Sequence, residues 1–282
     1  MALPIDKLGT TYGPATAVID PARAKAYAAA TNDHNPAYES GKYAPPVFGV
    51  VPVWPLLGEV VVDMIPADVL MFIVHGEQDM HFHQPLAPGT RLTSTAEANA
   101  LRVGGSGTRF VTRLASVDDD GRPVLTQFVT TFVRGVTDGE SGGPDKPAHD
   151  VPADARDRPL RRVVLPVDRD QTFRYAEASG DTMPIHLDDA IARSVGLPGI
   201  IVHGLCTMAF CGRAVVDEVA DGDPSRLRRL AVRFAANLRP GEELAVDLLD
   251  AGSTPDGRAA VAFEATSAGQ TVITHGRAEV EA

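Results

Sequence analysis

The sequence predicts an α+β fold made of two similar halves, each an apolar helix buried against a curved antiparallel sheet. Three observations predict it. First, the chain repeats itself: residues 175–186 (YAEASGDTMPIH) lie over residues 27–38 (YAAATNDHNPAY) without a gap. Tyr27 meets Tyr175, Ala28 meets Ala176, Ala30 meets Ala178, Asp33 meets Asp181 and Pro36 meets Pro184. Farther on the offset grows from 148 to 152, so that Pro46 falls on Pro198, Phe82 on Phe234, and LAPG (86–89) on LRPG (238–241). Ordered matches at a steady offset indicate a duplication, and four added residues are about one helical turn. Second, both halves run from helical periodicity into alternating, β-rich segments. Third, residues 136–160 are rich in Gly, Pro and Asp with almost nothing apolar to bury, which is linker composition. The expected division is a first domain over 1–135, a linker over 136–160 and a second domain over 161–282.

The elements follow in the same order in each half. A short amphipathic helix comes first (22–30; 170–179), then a proline-containing loop, then an apolar helix (about 52–64; about 204–219). Strands are expected at 79–87, 91–102, 108–118 and 123–134, and again at 228–237, 243–251, 258–267 and 270–281. Asp120-Gly121 and Asp256-Gly257 suit tight antiparallel hairpins.

The bulk numbers narrow the class of function. A chain of 282 residues is comfortable for two domains, and 44% hydrophobic with 22% charged residues is ordinary for a globular protein. A net charge of −11 argues against nucleic acid, whose phosphates need a basic face. The N-terminal MALPIDKLGTTYGP lacks the basic-then-apolar pattern of a secretory signal. The apolar run from Val47 to Val62 is broken by Pro52, Pro55 and Glu59, short of the roughly 20 residues that span a bilayer. The only cysteines, Cys206 and Cys211, sit in a helical stretch and fit a reducing compartment. The expectation is a cytoplasmic protein without nucleic-acid or membrane partners.

Residues 179–210, SGDTMPIHLDDAIARSVGLPGIIVHGLCTMAF, carry the chemistry. Gly180 is placed to end a helix in a left-handed turn, and Pro184 biases Met183 towards extended backbone. Asp181 and His186 therefore share an irregular loop, with Asp188 or Asp189 capping the short helix that follows. An imidazole and a carboxylate on one loop can share proton transfers near neutral pH. Gly204, at the start of an apolar helix, has an uncommitted backbone N–H and no side chain, so a developing oxyanion can approach it.

The segment resembles the motif of the MaoC-like family, a loop of the form G-D-x-N-P-[IL]-H followed by an apolar helix opening with H-G. It is especially similar to the (R)-specific hydratase domain of peroxisomal multifunctional enzymes. The resemblance implies a double hotdog fold, a homodimer, and reversible hydration of trans-2-enoyl-CoA to (R)-3-hydroxyacyl-CoA. Coenzyme A then enters as part of the substrate, and neither a further cofactor nor a metal is expected. It also implies that Asp181 and His186 grip one water between them and that Gly204 is the oxyanion donor. His203 positions the loop or the acyl chain. Met183 stands where the family usually carries Asn and cannot orient a water usefully, so it is counted with His203, Val51 and Trp54 among residues contacting substrate. Two alternatives stay open: a dehydratase acting on acyl-carrier-protein or pathway-specific thioesters, and a catalytically idle acyl-thioester-binding protein.

The first half should be silent. Asp33 survives opposite Asp181, but Tyr38 replaces His186, and Pro52, which has no N–H, falls opposite Gly204. Val47, Phe48, Val50, Val51, Trp54 and Leu57 either wall an acyl-chain tunnel or form plain core. His75, His81 and His83 are set aside as a metal site because no Cys or further spaced ligand joins them. Arg226, Arg228 and Arg229 form a basic cluster that fits a solvated turn better than a phosphate site.

Overall fold

The computed structural model describes residues 1–70 and 73–282. The chain forms two compact units that exchange segments along the sequence. The first comprises Met1–Val18, Pro52–Gln84 and Thr90–Ala148; the second comprises Ile19–Val51, Pro85–Gly89 and His149–Ala282. Residues 19–51, from the first sequence half, thus belong with the second half.

In the first unit five antiparallel strands run in the order β1 (Thr11–Val18), β3 (Arg91–Gly104), β4 (Gly107–Val117), β5 (Pro123–Arg134) and β2 (Ile73–Phe82). Strand β3 buries alternate residues over its first half, the period-2 pattern of a strand with one covered face. The covering element is helix α3 (Trp54–Met64), which directs Leu56, Leu57, Val60 and Met64 into a core with Leu101, Phe110, Leu114, Val129 and Val133. By length and composition Pro46–Met64 is apolar enough to cross a membrane. It is, however, a 3₁₀ segment (Pro46–Val53) followed by α3, and α3 turns its apolar face into the core.

The second unit repeats the design. Its sheet runs β7 (Leu227–Phe234), β10 (Gln270–Val280), β9 (Ala259–Ser267), β8 (Glu243–Ser253) and β6 (Pro159–Pro166). Shifting each label by five reproduces the first sheet, so the duplication read from short motifs extends through the topology. Helix α6 (Gly204–Val219) buries eleven residues from Leu205 to Val216 and packs on β6, β7, β8 and β10. This unit also holds α1 (Pro21–Ala30), α2 (Pro36–Glu39), α4 (Gln171–Ser179) and α5 (Asp189–Ser194).

Two strand expectations need correction, and two further strands were not expected. The strand expected at 79–87 is Ile73–Phe82: its polar centre, Glu77, Gln78 and Asp79, is buried, and Pro85 cannot continue a ladder. The strand expected at 228–237 ends at Phe234. Strands β1 and β6 were unforeseen. β1 contains Gly13-Pro14 at a register shift, and β6 is bounded by prolines with Arg161 and Arg162 inside it. Both lie at the ends of the strand order, where proline and charge are tolerated because one ladder face is unpaired.

The Gly/Pro/Asp-rich stretch is tied down. Gly142 exchanges two backbone hydrogen bonds with Leu101, Lys146 pairs with Glu77 at 2.8 Å, and residues Ala153–Asp157 form a 3₁₀ turn before β6.

Candidate active site

The site is assembled from the ends of two helices. Helix α4 terminates at Gly180, whose φ of 82° is left-handed and whose N–H bonds to Ala176 O at 2.8 Å. The chain then tightens through two side-chain turns: Asp181 N–H donates to Ser179 Oγ (3.1 Å), and Met183 N–H donates to Asp181 Oδ1 (3.2 Å). Met183 has φ −55° and ψ 127°, the extended geometry that a following proline favours. The 3₁₀ turn Pro184–His186 then delivers the imidazole. Asp188, rather than Asp189, caps α5, accepting from Ala190 N and Ile191 N. Asp189 instead pairs with Arg193 at 2.7 Å and accepts from Ile200 N at 3.3 Å, which fixes the loop returning towards α6.

One ligand atom from each of Asp181, His186 and His203 lies within 4.8 Å of the others. The hydrogen bonds define the tautomers. His186 Nδ1 is 2.8 Å from Ile201 O; a carbonyl only accepts, so Nδ1 carries the proton and Nε2 offers a lone pair. His203 Nε2 lies 3.0 Å from the backbone oxygen of Asp181 and is its donor. His203 Nδ1 is buried without a partner. The two imidazoles stack with centroids 3.8 Å apart and planes inclined by 26°, and Tyr175 lies beside His203 at 4.8 Å. Burial pushes the His186 pKa below its ordinary 6.5, with the Ile201 carbonyl and Asp181 pulling the other way. Burial, then the neighbouring His186, push His203 down to about 3. Both rings are therefore neutral at pH 7, and His186 is poised as a base.

Three such side chains so close together also fit the donor set of a transition-metal site. The ring geometry opposes it: a ligating imidazole aims its lone pair in its own plane, and two planes stacked nearly parallel do not aim at one ion.

Gly204 opens α6, with His203 as its flanking residue at φ −57° and ψ 137°. Among the described residues no acceptor is bonded to the Gly204 N–H, and the positive end of the helix dipole lies there. A Cβ on Gly204 would meet the Phe234 ring at 3.1 Å, so this position is tight even for alanine. Asp181, His186, Gly204 and His203 are thus brought together, and Met183 stands on the same loop, half exposed. Val51 is buried at the end of the 3₁₀ segment in the second unit. Trp54 begins α3 and packs against the core of the first unit.

The matching loop of the first sequence half is held by contacts of its own. Asn35 caps α2, accepting from Ala37 N, and donates to Gly222 O. Asp33 is 7% exposed, and burial lifts its pKa from 3.8 to about 6. Tyr38, in the place of the imidazole, buries a hydroxyl with no partner. Pro52 lies in the 3₁₀ segment just ahead of α3. Arg226, Arg228 and Arg229 are not a solvated turn: Arg226 pairs with Asp221, Arg228 grips both oxygens of Glu281, and Arg229 faces Glu279. Among the three histidines set aside earlier, His81 lies 3.1 Å from buried Asp79, and His83 bonds to Thr126 Oγ1 at 2.9 Å.

Residues 151–272 match the MaoC like domain family, and residues 6–127 match the FAS1-like, dehydratase domain region. The second half of the chain is thus a MaoC-like domain, and the first half a FAS1-like dehydratase region. A solved MaoC-like dehydratase from Phytophthora capsici is 26% identical and superposes with a TM-score of 0.86, covering 99% of this chain and 98% of its own. The peroxisomal multifunctional enzyme type 2 of Drosophila melanogaster is 35% identical over 185 residues, which are 64% of this chain and 30% of that enzyme. This chain thus spans under a third of that relative. A Dictyostelium discoideum protein named for enoyl-CoA hydratase 2 is 26% identical over 72% of this chain and 70% of its own. The MaoC-like fold here is a double hotdog.

Reading the MaoC-like motif alone missed the Ile201 carbonyl that sets the His186 tautomer, because backbone partners leave no residue-type signal. It also missed Tyr175. That tyrosine was visible as the repeat-mate of Tyr27, and the two hydroxyls meet at 2.9 Å.

Proposed function

We propose that this chain is an (R)-specific enoyl-CoA hydratase, running in reverse as a 3-hydroxyacyl-CoA dehydratase. The observation that carries the reading is the neutral His186 with Nε2 free, within 4.8 Å of Asp181, on the loop beside the unbonded Gly204 N–H. Two acceptors at that separation suit one water held between them by ordinary hydrogen bonds of about 2.8 Å. Its oxygen adds to the β-carbon of the enoyl thioester while one of its protons, relayed by the Asp181–His186 pair, reaches the α-carbon on the same face. The pair ends in its starting protonation state. The charge that gathers on the thioester oxygen meets the Gly204 N–H at the α6 terminus, where a preorganised donor is worth about 10²–10³ in rate. Coenzyme A belongs to the substrate, and the chemistry asks for no further cofactor.

The test is loss of the conjugated-thioester absorbance when a trans-2-enoyl-CoA is mixed with the protein, with the product's configuration determined. Asp181→Asn and His186→Ala should each lower kcat by at least about 10³, as removal of a paired acid–base group does elsewhere. An unchanged absorbance with every chain length tried, alongside measurable thioester binding, would instead identify an idle binder.

A further inference from the structure

Arg23, on the first turn of α1, lies outside the reacting set but reaches the peptides that carry it. We infer that Arg23 is the positioning residue of the Asp181 loop. The inference rests on the hydratase reading for its rate arm and on geometry alone for its structural arm. Arg23 Nε donates to Ala178 O at 2.9 Å and Nη2 donates to Ser179 O at 2.6 Å. These are the last two carbonyls of α4, which have no partner within the helix, and a cation is favoured at that negative end. The same Nη2 lies 2.7 Å from where a Cβ on Gly180 would sit, so the guanidinium occupies the space that the glycine leaves. Asp181 follows at once, its N–H on Ser179 Oγ. Arg23 therefore clamps the two peptide units from which the carboxylate departs.

The duplication supplies a comparison within the molecule. At the offset of 148 the repeat-mate of Arg23 is Gln171, and that of Ala178 is Ala30. Gln171 Nε2 donates to Ala30 O, so each helix is capped at its C-terminus by the first turn of the other. Both helices lie in the second unit. The reciprocal caps differ in kind. At the paired position the end of α4 receives the two-pronged Arg23, whereas the end of α1 receives the Gln171 amide. The cations at the end of α1 come from other positions, Arg174 donating to Ala29 O and Asn32 Oδ1 and Arg213 to Asn32 O.

The experiment uses the full chain with Arg23→Gln, which copies the mate, and Arg23→Lys, which keeps charge but loses the fork. The expected result is a fall in kcat of about 10–100-fold in Arg23→Gln, the scale for a reacting group displaced by about 1 Å. KM should change by less than about threefold, because the oxyanion donor at Gly204 is untouched. Arg23→Lys should recover part of the loss. Amide exchange should quicken in residues 176–187 and stay unchanged in α6 and the sheets. A kcat within twofold of the parent overturns the inference, as does exchange that quickens throughout the second unit, which would make Arg23 a general structural residue. If the parent hydrates no thioester, the functional reading fails while the exchange measurement still decides this one: local quickening supports it and no change overturns it.

Discussion

Replacing Asp33 by Asn should stabilise the protein at neutral pH without slowing it. Asp33 is the repeat-mate of Asp181, yet it is buried with its pKa raised to about 6 against 3.8 unfolded. Burial is the main cause; the Asn35 N–H offsets it, Asp217 adds to it, and Arg213 and His34 oppose it. A raised carboxylate means that the native state binds more protons than the unfolded state between pH 3.8 and 6. This group therefore makes stability fall as pH rises through that window. Linkage places the cost of the buried charge at about 3 kcal/mol at pH 7, about 1.6 at pH 5 and about 0.5 at pH 4. Asn stays neutral throughout and keeps an oxygen for the Asn35 N–H, so the variant should gain up to these amounts. The assay is urea or thermal unfolding of variant and parent at the three pH values, read as a difference. The difference matters because buried neutral His186 and His203 give the parent the opposite trend, losing stability as pH falls below 6.5. A gain that is equal at pH 4 and pH 7, or a loss at pH 7, would refute the reasoning. Hydratase rate should stay within twofold.

Three further outcomes are expected. The kcat/KM profile should be flat near neutrality and decline only below pH 6.5, because burial lowers the His186 pKa and the neutral ring is the active form; a decline centred above pH 7 would contradict this. Gly204→Pro should cost about 10²–10³ in kcat through loss of one donor. His203 already has the backbone conformation that precedes proline, and the proline Cβ meets the Phe234 ring just as alanine's would, so Gly204→Ala is the steric control, with circular dichroism checking the fold of both. Gly204→Ala keeps the N–H and asks only that the Phe234 ring yield a few tenths of an ångström; steady-state kinetics should show at most about a tenfold loss.

The duplication, both apolar helices and six of the ten strands were legible because period and turn chemistry are local properties. Strand β6 was not, because the proline and arginine run of an edge strand reads like a linker. Strand β2 was misplaced because buried Glu77 and Asp79 mimic a loop. In the site, Asp181, His186 and Gly204 could be named because they sit on one motif. Arg23 could not: its partners are carbonyls 155 and 156 residues away, and no pattern of residue types marks a carbonyl. The tautomer of His186 was hidden for the same reason.

The exchange of segment 19–51 into the second unit bears on how the chain can be divided. A fragment starting near residue 149 would carry Asp181, His186 and Gly204 yet lack both Arg23 and Tyr27, leaving α4 without its antiparallel companion. It is therefore not a transplantable module, whatever the motif suggests. Two polypeptides cut in the 136–160 stretch and produced together would still hold every group the proposed reaction needs.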